Sequence, residues 1–201
     1  MVKTAICAIF AYLLGSIMFA YYICKVTKGV DLREVGTKNP GMANAFKCGG
    51  IMEGILTGVG DIAKGAIPVL VAREIGVGIF GQYLVGLAAL LGHMFPVYLK
   101  FKGGVGVNTA YGILLVLIPK AFLVVFPCWF LGYFLTRSND GVQYAAFIGV
   151  FLYTLFFAKN IDLSLYIFLM GIFIMIRSAV VRHPAEVVQF LEKYFKLKVK
   201  L

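Results

Sequence analysis

Long apolar runs alternate with short polar stretches from one end of the chain to the other. Apolar runs of about 17–25 residues are what an α-helix needs to cross the hydrocarbon of a bilayer. The pattern predicts an all-α, polytopic membrane protein with about seven spans, at roughly 3–23, 51–72, 77–99, 107–118, 121–136, 142–158 and 162–181. The fourth run is short and stops at Pro119, which cannot continue a helical hydrogen-bond ladder. Such a span has to be tilted, half-inserted or shielded by protein. After the last run, Pro184 suits a new first helical turn, and Val187, Phe190, Leu191, Tyr194 and Leu197 form an apolar stripe. Residues 182–201 therefore read as an interfacial amphipathic tail on a single domain covering 1–201.

Composition supports this pattern. The chain is 61% hydrophobic and only 14% charged, against about a quarter charged in soluble domains. No polar stretch is long enough for a separate water-soluble domain. The N-terminus has one lysine and then a long apolar run, which reads as a first span rather than a cleaved leader. If the N-terminus lies outside, thirteen of the basic residues fall on the inner side and four on the outer. The positive-inside rule then predicts N-terminus out and C-terminus in. A basic inner face attracts anionic lipid headgroups. Cys7, Cys24, Cys48 and Cys128 form no CxxC pair, so neither a zinc site nor a disulfide framework is expected.

The unusual polar segments all fall on the predicted inner side. The first loop reads VGTKNPGMANAFK. Gly36 and Gly41 allow close backbone approach, Asn39 and Asn44 bring amides, and Lys38 and Lys47 bring charge. Such a loop is either an anion-binding nest or simply rich in turns. A second stretch, GHMFPVYLKFKGGVGV, has Gly103, Gly104 and Gly106 beside Lys100 and Lys102. It is not a Walker loop. Two basic, glycine-rich loops on one side suggest one phosphate-bearing ligand at the membrane surface. His93 sits in an apolar run, where it is either bonded to backbone or functional. Asp61 and Lys64 are three apart on one helical face. They form an internal ion pair, or Lys64 contacts the ligand.

Together these segments resemble the PlsY family of acyl-phosphate:glycerol-3-phosphate acyltransferases. The second stretch follows the family pattern G-H-x-F-P-x-x-x-x-F-K-G-G-K-G-V-A-T through Gly92, His93, Phe95, Pro96, Phe101, Lys102, Gly103, Gly104, Gly106, Val107 and Thr109. VDLREVGTKNPGMAN and GDIAKG are similar to two further family motifs. The resemblance implies a seven-helix bacterial inner-membrane enzyme that faces the cytoplasm. It implies acyl transfer from acyl phosphate to the 1-hydroxyl of glycerol 3-phosphate, giving lysophosphatidic acid. It implies no metal or other cofactor and no nucleic-acid partner, with the donor itself assisting deprotonation. Asn39, Lys102 and His183 are then the catalytic set. Gly36, Thr37, Gly41, Asn44, His93, Gly103, Gly104 and Gly106 join them in holding substrate, and Lys47 and Arg182 face the acceptor.

The chain departs from the family at several of these positions. Val105 stands where the family has lysine, and Lys38 is the candidate to replace that charge. Asp140 stands where the family has serine, and Glu186 where it has asparagine. Those two carboxylates either repel phosphate or bind the hydroxyls of a different acceptor. The alternative reading is a catalytically impaired relative that binds lipid or acyl phosphate and regulates a partner.

Overall fold

The first apolar run does not form one rod. Helix α1 (Val2–Gly15) stops, and α2 (Phe19–Lys28) begins after a break at 16–18. Ser16 Oγ turns back to donate to the Tyr12 carbonyl at 2.8 Å, the local bond by which serine competes with a helical ladder. The break leaves the Ile17 carbonyl to be satisfied from elsewhere, and Lys64 Nζ donates to it at 2.7 Å. Lys64 also sits 2.8 Å from Asp61 Oδ1 in an ion pair. Both side chains are fully buried. Of the two readings of this pair, the internal ion pair is the one found, and its ammonium also caps the broken helix.

The computed structural model describes residues 1–182 and 184–195. His183, and the predicted tail beyond residue 195, lie outside the described residues. The remaining helices are α3 (Met42–Cys48), α4 (Ile51–Glu74), α5 (Ile79–Met94), α6 (Val107–Leu117), α7 (Phe122–Thr136), α8 (Asn139–Leu152), α9 (Ile161–Arg182) and α10 (Pro184–Phe195). The α1–α2 pair runs antiparallel to α4. Lys3 Nζ reaches the Ile75 carbonyl at one end (3.2 Å), and Lys28 pairs with Glu53 at the other (3.5 Å). Helix α5 lies along α1, with Gly15 against the Ala89 backbone and Gly92 against that of Tyr12. Small residues let helices approach this closely where apolar lipid offers no other drive to associate. Helices α7, α8 and α9 pack as antiparallel neighbours, with Gly132 against Gly141 and Asp140 against the end of α9.

Among the described residues, six helical stretches are long and apolar enough to cross a membrane. The predicted fourth span is not one of them. Helix α6 has 11 residues, about 16 Å at 1.5 Å per residue, roughly half the hydrocarbon thickness. It runs parallel to α4. Asn108 meets Met42, which packs on Gly58; Thr109 and Asp61 share His93; Gly112 lies on the Ile62 backbone; and Arg73 donates to the Val116 carbonyl (3.2 Å). Helix α6 therefore starts level with the middle of α4 and ends near its C-terminal end. The chain between α5 and α6 folds back on the end of α5, where Gly104 N–H meets the His93 carbonyl, so α6 starts at the level where α5 stops. Irregular backbone at membrane depth is tolerated only where protein covers it or a cavity receives it. Here Gly103, Gly104, Val105 and Gly106 are all buried.

Candidate active site

A cavity of about 430 Å³ opens where the two glycine-rich loops meet. Its walls come from eight places in the fold. Asn39 and Gly41 come from the first loop, and Met42 and Phe46 from α3. Asp61 comes from α4 and His93 from α5. Val105, Gly106, Asn108 and Tyr111 come from the start of α6, Trp129, Phe130 and Tyr133 from α7, Gln143 from α8, and Arg182 from α9. One side is polar and the α7 side is aromatic.

The first loop is shaped by Asn44. Its Oδ1 accepts from Thr37 N–H, and its Nδ2 donates to the Leu32 and Val35 carbonyls, each at 3.0 Å. The side chain is 1% exposed. Asn44 is therefore committed to the loop's own backbone and holds Asn39 in place rather than reaching a ligand. Gly36 has φ +61° and leaves no room for a Cβ beside Asn44 Oδ1. Arg33 forks onto the Asp31 carboxylate (2.6 Å to Oδ2) and holds it below the usual aspartate range. That brace persists through neutral pH and is lost only as pH falls below ordinary carboxylate values.

The second loop is fitted between His93 and Asn39. A methyl placed on Gly104 would lie 2.5 Å from His93 Nε2 and 3.1 Å from Asn39 Oδ1. Bare backbone is the only occupant that fits there. Gly104 N–H donates to the His93 carbonyl (3.2 Å). His93 Nδ1 lies 3.1 Å from Thr109 Oγ1, the direction of that bond depending on the ring's tautomer, and 3.7 Å from Asp61 Oδ1. Gly106, with φ +94°, turns the chain into α6. The α6 N-terminus thus faces the cavity with the free N–H groups and positive dipole end that suit an anion.

The sequence-predicted residues divide into two groups. Asn39, Gly41, His93, Gly106 and Arg182 line the cavity, and Gly104 forms its backing. Lys38, Lys47 and Lys102 are exposed and do not line it; their charge was readable, but they point outward. Lys38, the candidate to replace the charge missing at Val105, is thus not part of the lining, whereas Val105 is buried on the cavity wall. Thr37 is exposed on the loop and contributes its N–H to Asn44. Glu186 is exposed on α10 and is not among the lining residues. Asp140 Oδ1 accepts from Ser178 Oγ (2.9 Å) and from Arg182. Its charge is balanced, and the expected repulsion of phosphate does not arise from a bare carboxylate.

Sequence reasoning missed Asn108, Gln143, Trp129 and Tyr111. Trp129 Nε1 donates to the Tyr111 hydroxyl (2.8 Å), fixing the aromatic wall. Among the described residues, Asn39 Oδ1 and Gln143 Oε1 are buried without a hydrogen-bond partner, which leaves two amide groups available to a ligand. A signal for Gln143 existed: it follows Asp140 by one helical turn.

The sequence matches the glycerol-3-phosphate acyltransferase family over residues 5–193. It is similar to the glycerol-3-phosphate acyltransferase of Azotobacter vinelandii, with 43% identity over 69% of this chain and 74% of that one. It is also similar to that of Pseudomonas fluorescens, with 45% identity over 66% of this chain and 70% of that one. The fold superposes on the crystal structure of PlsY, an integral membrane glycerol 3-phosphate acyltransferase, in its glycerol 3-phosphate form. The TM-score is 0.81 at 34% identity, covering 94% of this chain and 92% of that one. The lysophosphatidic acid form of PlsY gives a TM-score of 0.80 at 32% identity, covering 93% and 92%.

Proposed function

The chain belongs to the glycerol-3-phosphate acyltransferase family, and from this we propose that it acylates the 1-hydroxyl of glycerol 3-phosphate with acyl phosphate as donor. The products are lysophosphatidic acid and inorganic phosphate. The enzyme is an integral, multi-pass membrane protein; we assign it to a bacterial inner membrane, with its cavity toward the cytoplasm. The observation that carries the reading is the half-length α6, whose N-terminus meets a cavity with one polar side and one aromatic side. A phosphate suits the first feature, and a fatty acyl chain suits the second.

The acceptor hydroxyl attacks the acyl carbonyl, the carbonyl oxygen takes up negative charge, and the acyl–phosphate bond breaks. The hydroxyl proton leaves on the released phosphate. The carboxylates fit that route: among the described residues Asp61 is paired with Lys64 and Asp140 with Arg182, so neither is free to take that proton. Preorganised N–H groups and amides favour the developing charge more than the ground state. Holding both substrates together removes most of the entropic barrier.

Donor choice tests this reading. Purified protein is expected to form lysophosphatidic acid and phosphate in equal amounts from acyl phosphate, and none from acyl-CoA. Equal use of acyl-CoA overturns the donor assignment.

Arg182 gives a second expectation. Arg182→Ala removes a cation from the cavity wall and leaves the Asp140 carboxylate behind it with Ser178 Oγ but no balancing charge. A lost charge-assisted bond typically costs about 1.5–3 kcal/mol, so steady-state KM for glycerol 3-phosphate should rise about tenfold or more. Adding Asp140→Asn should recover part of it. An unchanged KM in Arg182→Ala contradicts the placement.

A further inference from the structure

Three cations lie buried or half-buried around the cavity: Lys64, Arg177 and Arg182. Lys64 is paired with Asp61 and Arg182 with Asp140. Among the described residues, Arg177 has no carboxylate within ion-pair distance. Its guanidinium reaches from α9 to the second glycine loop instead. Nε donates to the Gly104 carbonyl (3.3 Å) and Nη2 to that of Gly103 (3.0 Å). The group also lies over the Phe95 ring, 4.9 Å from its centroid, a cation–π contact that offsets part of its desolvation. An arginine placed at membrane depth without an acid is costly, and its position calls for a functional reason.

We infer that Arg177 is the positioning cation of the glycine loop, setting the loop's backbone for phosphate and supplying the positive field that no loop side chain brings. This rests on the acyltransferase reading. The guanidinium fork matches two successive carbonyls, which a lysine ammonium does not do. A trans peptide carries its N–H opposite its C=O. Turning the Gly104 carbonyl toward α9 therefore turns the Val105 N–H the other way, and Val105 and Gly106 line the cavity while Arg177 does not. The one side chain this loop offers to the cavity is Val105, which has no charge. Lys100 and Lys102 are exposed. Arg177 thus stands behind the loop and acts through it.

The test compares Arg177→Met, Arg177→Lys and Arg177→Met/Val105→Lys with wild type in detergent. Two readouts are taken: steady-state acyl transfer, and the shift of the unfolding midpoint on adding glycerol 3-phosphate. In Arg177→Met, kcat/KM should fall about 10- to 100-fold, the loss typical of a charge-assisted interaction, mainly through KM. Its stabilisation by glycerol 3-phosphate should shrink or vanish. Arg177→Lys should lie between. Val105→Lys should restore much of both losses in the double variant, because a cation then enters from the loop itself. A merely structural Arg177 predicts a lower midpoint without ligand and no rescue by Val105→Lys, and that result overturns the inference. So does an Arg177→Met protein that matches wild type. A wild type without turnover, yet stabilised by glycerol 3-phosphate where Arg177→Met is not, would sink the acyltransferase reading and keep Arg177. A wild type that shows neither response contradicts both.

Discussion

Asn44→Leu is expected to reduce acyl transfer at least 100-fold and to lower the unfolding midpoint. The substitution keeps the branched heavy-atom shape in a larger side chain and removes three backbone hydrogen bonds at once, together with the longer one from Cys48 Sγ. The Leu32 and Val35 carbonyls and the Thr37 N–H lose their partner. Each buried polar group left unpaired costs about 1–3 kcal/mol. The loop does not have to unfold for activity to disappear. Asn39 lies between Thr37 and Gly41, and its amide packs directly against Gly104 of the second loop. A shift of an ångström there separates the two loops that hold substrate. Activity within twofold of wild type would show that the loop keeps its shape without this clamp.

Asp61→Leu should be the most destabilising single change in the bundle. It strands the Lys64 ammonium, which is 1% exposed and is left with the Ile17 carbonyl and the face of the Phe19 ring. Breaking one side of a buried pair costs about 3–5 kcal/mol, whereas replacing both sides with apolar groups is often close to neutral. Asp61→Leu/Lys64→Met should therefore regain much of the lost stability. Recovery stops short of complete, because the break between α1 and α2 then has no donor for Ile17. Thermal unfolding of the three proteins in one detergent reads this directly. If the double variant is no more stable than Asp61→Leu, the pair is not the source of the cost.

The two cases also mark what the sequence could reveal. Apolar runs located the long helices, and Pro119 with the short run before it indicated a helix unable to cross alone. Spacing paired Asp61 with Lys64. Its structural purpose was hidden, since the carbonyl it serves lies 47 residues away and is freed by a break that no proline marks. Asn44 was legible as a loop residue, but composition does not say whether an amide faces backbone or ligand. The lysines showed the same limit: charge is written in the sequence and direction is not. Asp140 read as repulsive because its partners, Ser178 and Arg182, come from α9 and meet it only through packing. Arg177 shows the same limit, since the Gly104 carbonyl it meets lies 73 residues away in the chain.

The measurement that bears most directly on the central claim is acceptor choice by the wild-type protein. Purified protein would be given acyl phosphate with glycerol 3-phosphate or with glycerol, and the acylated product measured. With Asp140 neutralised by Arg182, and the start of α6 and the glycine loop facing the cavity, glycerol 3-phosphate should be used at least 100-fold more efficiently, giving lysophosphatidic acid. Preference for glycerol, or folded protein that acylates neither, would contradict the account.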